Sequence, residues 1–354
     1  MDTDAKQQTA RHRRGAVTIH DVARHIGVSS MTVSRVINGE KNVRDETRQK
    51  VLASIKELNY APSPTARTLA TRDPVQLAVL YSNPSTAYLN EVLLGVLMES
   101  GRCGCRVSLQ ACRDVDGAVE ALEQFSRSGI EGVILPAPLS NYNRVATTLE
   151  ALGLASVGIA AAQQPTGRTI VSIDDRAAAF AMTMRLIELG HTRIGFIKGH
   201  PNNRASDFRA EGFMAAMNAA GLDADPDLIV QGYFDYHSGF QASAELLGLA
   251  KRPTAIFASN DDMAAGVLAN AHSFGISVPG ELSVVGFDDT TVATTVWPEL
   301  TTVRQATTDM AVRAVDLVLQ QVRAQRSGMA YEPTWEVHPF EIVERMSTAP
   351  LPKA

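Results

Sequence analysis

Seven polar, charged or aromatic residues follow short apolar runs in the larger, C-terminal part of the sequence. They are Ser82 after VQLAVLY, Arg204 shortly after RIGFIKG, Phe234 at the end of LIVQGYF, Asn260 and Asp261 after TAIFAS, and Asp288 and Asp289 after SVVGF. An aromatic face, an arginine fork, an amide and carboxylates can together hold a polyhydroxylated ring, by stacking on one face and by bidentate hydrogen bonds at its edge. This set of side chains predicts sugar recognition.

Each of these residues also has a purely structural interpretation. Asn260 or Asp288 could cap the helix that follows it, and Phe234 could belong to the core. The carboxylates of Asp261, Asp288 and Asp289 could instead serve an enzyme that acts on a sugar. Because the sequence has no G-x-S-x-G elbow, no phosphate-binding glycine-rich loop and no H-E-x-x-H motif, we favour binding over catalysis and expect no metal and no cofactor.

The pattern between residues 75 and 343 predicts the elements that position these side chains. Short apolar runs alternate with longer amphipathic ones, which indicates parallel sheets covered by helices on both faces. About 270 residues are too many for one doubly wound unit, so we expect two similar lobes. Ligands of open parallel sheets bind outside the carboxyl ends of the strands, which predicts a binding site in the cleft between the lobes.

The segment before this body has the pattern of a helix-turn-helix. Thr18 and Asp21 form a capping-box arrangement, Gly27 ends the first helix, and Ser29 can cap a second one. A third helix is predicted over 45–58. The second helix carries Val33, Val36 and Ile37 on its inner face and Ser30, Met31, Ser34 and Arg35 on its outer face. Such a helix can read base edges in the major groove, although an ordinary helical hairpin has the same spacing.

Residues 61–74, APSPTARTLATRDP, have the composition of a linker. Pro64 and the TARTLA that follows it could form a short helix whose Leu69 enters the minor groove and bends the duplex. A flexible tether fits the same composition equally well.

Charge is unevenly distributed along the chain. The formal net charge is -5, but residues 1–72 hold 13 Lys/Arg and 7 Asp/Glu, whereas the remainder holds 20 and 31. A basic head therefore precedes an acidic body, and this division favours nucleic-acid binding by the head.

The remaining composition indicates a soluble cytoplasmic protein. No apolar stretch approaches the roughly 18 residues of a membrane span, and the polar N-terminus does not resemble an export signal. Cys103, Cys105 and Cys112 fit neither a disulfide framework nor a four-ligand zinc site, so we expect reduced thiols. Polar termini without periodicity predict disorder for residues 1–16 and the last ten or so.

The head carries a specific family resemblance. VTIHDVARHIGVSSMTVSRVINGEKNVRDETRQKVLASIKELNYAP, with ARTLA after it, closely resembles the head of the LacI/GalR family of bacterial transcriptional repressors. The resemblance implies a sequence-specific DNA-binding regulator, in which Met31 suits apolar contact with a thymine methyl group. The candidate DNA-contacting residues are Thr18, Ser29, Ser30, Met31, Thr32, Ser34, Arg35, Asn38 and Leu69.

The body extends this resemblance through LIELGHTRIGFI, ASDFRAEGF, IFASNDDMAAGVL, SVVGFDD and PELTTVRQ. By resemblance, Arg209 clamps an effector, Asp288 binds it, Phe234 stacks on it and Asn260 contributes a polar contact. Ser82, Tyr88 and Leu89 complete the candidate effector-binding set, although STAYLNE departs from the family's commoner SNPFFAE.

The resemblance implies an α/β fold with an N-terminal three-helix helix-turn-helix head and a periplasmic-binding-protein-like body of two parallel-sheet α/β lobes. We expect a basic tail over 1–16, the head over 17–60, a hinge over 61–74, the body over 75–345 and a tail over 346–354. A homodimer would bind operator DNA of genes for carbohydrate uptake or catabolism, under control of a mono- or disaccharide. A purine effector, or a sugar-binding protein without a regulatory role, stays an alternative.

Overall fold

The computed structural model describes residues 19–37, 43–58, 74–160 and 167–351, and the chain divides into two compact units between Pro74 and Val75. The predictions for Thr18, Asn38, Leu69 and most of the hinge lie outside the described residues, as does the side chain of Ser34. The predicted domain boundaries therefore stay predictions, and each unit is described by itself.

The first unit contains the three predicted helices, α1 (Ile19–Ile26), α2 (Ser30–Ile37) and α3 (Asp45–Glu57). Gly27 has a φ of 67°, the left-handed conformation that ends α1 and turns the chain. The Ser29 hydroxyl caps α2 by accepting a hydrogen bond from the Thr32 amide at 3.1 Å. One fully buried valine from each helix, Val22, Val33 and Val51, forms the centre of a small core.

The first lobe of the body is built on a six-stranded sheet in which every pairing is parallel. Its strands are β1 (Gln76–Tyr81), β2 (Arg106–Ala111), β3 (Gly132–Pro136), β4 (Ala155–Ile159), β5 (Thr169–Ser172) and β11 (Trp335–Val337). Its helices are α4 (Thr86–Cys103), α5 (Val115–Ser128), α6 (Asn143–Leu152) and α12 (Thr307–Arg326), with a 3-10 helix over Leu139–Asn141.

The second lobe is built on another six-stranded sheet. Its strands are β6 (Ile194–Lys198), β7 (Ile229–Gln231), β8 (Ala255–Ala258), β9 (Ser283–Asp288), β10 (Thr301–Gln305) and β12 (Phe340–Val343). Its helices are α7 (Asp175–Glu188), α8 (Arg204–Ala219), α9 (Tyr236–Leu247), α10 (Asp261–Ser273) and α11 (Thr291–Thr295), with a 3-10 helix over Pro226–Leu228. The edge strand β12 pairs antiparallel with β10, whereas the other pairings are parallel.

The two sheets repeat one topology. The first has the order β11-β5-β4-β3-β1-β2 and the second β12-β10-β9-β8-β6-β7. In each sheet the second strand of the lobe forms one edge and lies outside the first strand. The chain passes between the lobes after β5, after β10 and after β11. This arrangement confirms the predicted fold, and it places a topological switch point in each lobe, where ligands of such sheets bind.

The close packing of α4 on α12 in the first lobe can be tested by substitution. A Cβ atom at Gly95 would overlap the Thr308 carbonyl group and the Ala311 methyl group, whereas one at Gly101 would meet nothing within 4 Å. We expect Gly95→Ala to destabilise the protein by about 1–3 kcal/mol because the helices must separate. Gly101→Ala on the same helix should be neutral or stabilising by about 0.5–1 kcal/mol. Urea unfolding measures both; equal effects would contradict the packing.

The end of the chain differs from its prediction. Ser347 is fully buried; its hydroxyl accepts from the Thr301 amide at 2.8 Å and donates to the Val284 carbonyl oxygen at 2.6 Å. The Leu351 amide donates to the Leu189 carbonyl oxygen at 2.8 Å. The prediction that the last ten residues are disordered was wrong up to residue 351. This segment has no apolar periodicity, but hydrogen bonds of its hydroxyl and backbone groups attach it to the body.

Two further properties concern the whole described chain. None of the helices that the structure describes is both long and apolar enough to cross a membrane. Cys103, Cys105 and Cys112 are all free thiols. Burial raises the pKa of the Cys103 and Cys112 thiols to about 11, so both are protonated at neutral pH.

Candidate functional site

A small cavity, here called the inner cavity, lies between the lobes at the carboxyl ends of their strands. Residues of both lobes form its wall. The first lobe contributes Asn83, Ser85, Tyr88, Ala137 and Ala160, and the second contributes Asn203, Ala205, Arg209, Phe234, Asn260, Asp288 and Gln305, the last residue of β10.

Arg209 of α8 is the fixed cation of the inner cavity. Its side chain is buried, and it donates to Asp175 at 2.8 Å, to the Ser259 carbonyl oxygen at 2.6 Å and to Asp288 at 3.4 Å. The guanidinium carbon also lies 3.5 Å from the centre of the Phe287 ring. Because these contacts come from several elements, the guanidinium group has one orientation before any ligand arrives.

Asp288 ends β9 and belongs to the same network. It has a φ of 110°, and it accepts a 2.6 Å hydrogen bond from the Gln305 amide nitrogen. Burial raises the pKa of Asp288 to about 7, and it also raises that of Asp175. Two buried carboxyl groups share the single guanidinium group of Arg209, so ionisation of both would leave a net negative charge in the site.

Asp288→Asn should change how stability depends on pH. The pKa of an aspartate in an unfolded chain is about 3.9, so between about pH 4 and pH 7 the folded protein holds a proton that the unfolded chain releases. This contribution to stability is full below pH 4 and is lost as the pH rises through about 7.

The wild-type protein should therefore lose more stability than Asp288→Asn between about pH 5 and pH 8. Urea unfolding at several pH values measures this difference. Asparagine keeps the shape and tolerates a positive φ, which makes the variant a fair comparison. Parallel stability curves for the two proteins would contradict the raised pKa.

Phe234 supplies an aromatic wall and is held in an uncommon backbone conformation. Its φ is 66°, and a Cβ atom at Gly199 would overlap its ring, so the ring packs where only glycine leaves room. The Asn260 amide donates to the Phe234 carbonyl oxygen at 3.0 Å and accepts from the Met263 amide at 3.0 Å. Asn260 therefore caps α10 and positions Phe234, as its structural interpretation predicted.

Two buried polar atoms in the wall of the inner cavity have no hydrogen-bond partner. They are the Tyr88 hydroxyl oxygen and the Gln305 side-chain carbonyl oxygen, on residues that are 5% and 4% exposed. Unpaired buried polar atoms are costly, and such atoms in a cavity mark positions where a ligand can supply the missing partner.

Ser85 joins the two lobes at the edge of the inner cavity. Its hydroxyl donates to Asp262 of α10 at 2.5 Å and accepts from the Tyr88 amide at 3.2 Å, which caps α4. A ligand that reaches Ser85 would therefore touch the start of α4 and a contact between the lobes at the same time.

The structure brings together five of the seven predicted effector-binding residues: Tyr88, Arg209, Phe234, Asn260 and Asp288. Ser82 lies instead in the outer cavity, described next, and Leu89 is half-buried outside the described walls of both cavities. The roles of all seven residues stay predictions.

Three other residues singled out from the sequence lie away from the inner cavity. Arg204 pairs with Asp207 on the surface of α8. Asp261 is buried among threonine side chains, and its carboxylate accepts from the Thr302 hydroxyl at 2.6 Å. Asp289 accepts from Arg304 at 2.6 Å.

Sequence reasoning missed four polar residues of the inner cavity: Asn83, Ser85, Asn203 and Gln305. The signal used for the others was available for Gln305, which ends β10 as Asp288 ends β9. Ser85 and Asn203 are N-cap residues of α4 and α8, and a capping residue at the carboxyl edge of a parallel sheet faces the cleft.

A second, wider space opens next to the first. This outer cavity is more spacious than the inner cavity and shares Asn83 and Asn203 with it. Its remaining wall consists of Tyr81, Ser82, Pro84, Ala111, Cys112, Arg113, Asp114, Val115, Pro138, Tyr142, His200 and Asn202. The shared residues make the two cavities neighbouring compartments of one cleft.

The head presents a candidate nucleic-acid interface on α2. Met31 is 65% exposed although it is a large apolar residue, and Arg35 is exposed one turn later. Ser30 is half-buried and Ser29 is exposed at the start of the helix. A helix with small polar, apolar and basic side chains at its N-terminal half has the residues that base-edge contacts require.

Comparisons with known proteins agree with both units. Residues 18–63 match the family described as bacterial regulatory proteins, lacI family, and residues 183–348 match the periplasmic binding protein-like domain. Catabolite control protein A of Priestia megaterium is 33% identical over 316 residues, covering 87% of this chain and 93% of that protein. The HTH-type transcriptional repressor PurR of Pasteurella multocida (strain Pm70) is 31% identical over 335 residues, covering 93% and 98%.

Solved structures show the same likeness. A complex of the transcriptional regulator CelR with cellobiose has a TM-score of 0.70 and 30% identity, covering 94% of this chain and 99% of that one. A dimer of the lac repressor bound to operator and the anti-inducer ONPF has a TM-score of 0.72 and 26% identity, covering 95% and 100%. The chain therefore belongs to the lacI family of bacterial regulatory proteins, as a transcriptional regulator with a DNA-binding head and an effector-binding body.

Proposed function

We propose that this regulator represses genes for carbohydrate uptake or catabolism, and that a sugar in the inner cavity changes its affinity for operator DNA. The observation that carries the choice of a sugar is the pair of unpartnered atoms on Tyr88 and Gln305, which lie around the same cavity as the fixed guanidinium group of Arg209. A ring with several hydroxyl groups can pair with all three, while Phe234 covers one of its faces.

The relatives support this proposal to different degrees. The CelR structure, in which a regulator of this family holds cellobiose, favours a sugar. A purine ring could also stack on Phe234, but it offers fewer hydrogen-bonding groups to the polar wall. PurR is named as a transcriptional repressor and CelR as a transcriptional regulator, so neither name supports an enzymatic role.

A homodimer is part of the proposal. Leu94, Leu97 and Met98 of α4 are each more than half exposed, and their spacing places them on one face of the helix. Such apolar faces mark interaction surfaces, and a second copy is the occupant that the lac repressor dimer suggests. Two heads on a dimer would bind the two half-sites of a near-palindromic operator.

Coupling between effector and operator would pass through the lobes. The inner cavity contains residues of both lobes, so a ligand that favours one arrangement of the lobes shifts their equilibrium. The coupling is reciprocal, so operator DNA must change effector affinity by the same factor.

A thermal-shift screen of sugars and nucleobases tests the effector assignment. A sugar at roughly 100 times its Kd should stabilise the body by about 2.7 kcal/mol and raise its melting temperature in proportion to occupancy. A response to nucleobases alone would replace the sugar by a purine. A flat response to both classes would overturn the assignment of the inner cavity.

A further inference from the structure

Three side chains that can bind a metal ion meet in the first lobe, where the end of α4 packs on α12. Glu99 and Cys103 belong to the C-terminal end of α4, and Asp316 belongs to the middle of α12. One donor atom of each residue lies within 4.8 Å of the donor atoms of the other two. The Cys103 thiol already donates to the Glu99 carboxylate at 3.0 Å. A cation bound to all three would therefore join the two helices.

The packing of the two helices positions these donors. The Thr308 hydroxyl of α12 donates to the Glu91 carboxylate of α4 at 2.8 Å, and Gly95 lets the helices approach closely one turn later. Glu99 follows Glu91 by just over two helical turns, and Asp316 follows Thr308 by the same interval. The two carboxyl groups thus lie along one seam between rigid elements, which is a favourable support for a metal site.

A buried hydroxyl group beside these donors has no partner. Ser100 is 3% exposed, and its hydroxyl oxygen makes no hydrogen bond within the part of the chain that the structure describes. Residues three apart are neighbours on a helix surface, so Ser100 lies next to Cys103. A zinc ion with three protein ligands keeps a water molecule in its fourth position. Such a water molecule would supply the partner that the Ser100 hydroxyl lacks.

The charges around these donors suit a divalent cation. Arg102 donates to the Glu99 carboxylate at 2.8 Å and lies 3.7 Å from Asp316, although its side chain is 69% exposed. Two carboxylates and one thiolate around a divalent ion leave one negative charge uncompensated, and Arg102 can balance it from the solvent side. The exposed guanidinium group can therefore move outward without leaving the site uncharged.

We propose that Glu99, Cys103 and Asp316 bind a zinc ion that joins the end of α4 to α12. On binding, a zinc–sulfur bond replaces the S–H bond of Cys103, and the proton passes to the solvent. A thiolate ligand favours Zn²⁺ over Mg²⁺ or Ca²⁺, which take oxygen ligands. The three residues do not belong to the walls described for the inner and outer cavities, so this inference does not depend on the identity of the effector.

Titration of the metal-free, full-length protein with Co²⁺, a spectroscopic substitute for Zn²⁺, tests the coordination. We expect one Co²⁺ ion per chain to give a sulfur-to-metal charge-transfer band, and Zn²⁺ but not excess Mg²⁺ to remove it. Cys103→Ser should abolish this band, and Asp316→Asn should weaken Zn²⁺ binding roughly tenfold or more. Cys112→Ser is the matched control, because it removes another half-buried thiol, in the wall of the outer cavity, and should change neither result.

The reactivity of the thiols gives a second test that needs no variant. Zn²⁺ should slow modification of Cys103 by N-ethylmaleimide roughly tenfold or more, measured by peptide mass spectrometry, and should leave Cys112 unaffected. A sulfur band that is absent from the wild type or persists in Cys103→Ser would overturn the proposal, as would equal reactivity of Cys103 with and without Zn²⁺. Normal Zn²⁺ affinity in Asp316→Asn would exclude α12 from the site and overturn the joining of the two helices.

Discussion

Replacing Arg209 by alanine is expected to abolish effector binding and to destabilise the body by about 3–5 kcal/mol. Asp175 and Asp288 would be left buried without their shared cation, which is the costly way to break a buried ion pair. In a unit of this size each kcal/mol lowers the melting temperature by roughly 2–4 °C, so calorimetry would resolve the change.

Two further variants make this result interpretable. Arg204→Ala removes an exposed arginine of the same helix, paired with Asp207 at 3.6 Å, and should change stability by less than about 1 kcal/mol. Arg209→Lys keeps a positive charge but not the fork that reaches Asp175, Asp288 and the Ser259 carbonyl oxygen together. We expect it to fold and to bind effector at least tenfold more weakly. Normal effector affinity in a folded Arg209→Lys variant would contradict the role of the fork.

Replacing Arg35 by alanine is expected to weaken operator binding by about 1–3 kcal/mol at each half-site and to relax base preference at one position. Arg35 lies on the exposed side of α2, one turn after Met31. Operators are selected from random DNA with the wild-type protein and, separately, with the variant. Comparing the selected sequences gives the base preference, and titrating the wild-type operator with each protein gives the affinity.

Lys50→Ala is the matched control for Arg35→Ala. It removes the same formal charge from the head, but Lys50 lies on α3, where it pairs with Glu46. A simple loss of charge would weaken binding to all DNA sequences alike and reduce its salt dependence in both variants. If the base preference selected by Arg35→Ala equals that of the wild type, Arg35 does not read a base.

The predicted fold agrees with the structure because its signals are strong over short ranges. Apolar runs such as VQLAVLY and TAIFAS contain the central strands β1 and β8, and both faces of such strands are buried, so these runs are continuous rather than alternating. The antiparallel edge strand β12 differs, because its direction depends on the chain's return from the first lobe after β11, which no local pattern encodes.

The candidate site was predictable where a residue directly ends a strand. Asp288 was found on this signal, and Gln305 carries the same signal at the end of β10. The loop after β1 was not readable in this way. Ser82, Asn83 and Ser85 are all polar, and only the turn into α4 decides that Asn83 and Ser85 reach the inner cavity.

The two compartments of the cleft could not be read from the sequence at all. Tyr142 and His200 are far apart in the chain and belong to different lobes. His200 directly follows the apolar run RIGFIKG, whereas Tyr142 lies in no motif that indicated a binding site. Their common cavity exists because the two sheets face each other with the carboxyl ends of their strands at one cleft. Which residues line this cavity depends on how the two lobes face each other, and a local sequence pattern does not encode that arrangement.

The central claim is that occupancy of the inner cavity changes the affinity of the head for operator DNA. Fluorescence anisotropy with a labelled, selected operator, titrated with and without the best sugar from the thermal-shift screen, tests it directly. We predict a change in operator Kd of roughly 5-fold to 150-fold for the wild-type protein, and a smaller change for Arg209→Lys at the same sugar concentration because less of the variant is occupied. An operator Kd that is identical with and without a sugar known to occupy the cavity would contradict the claim.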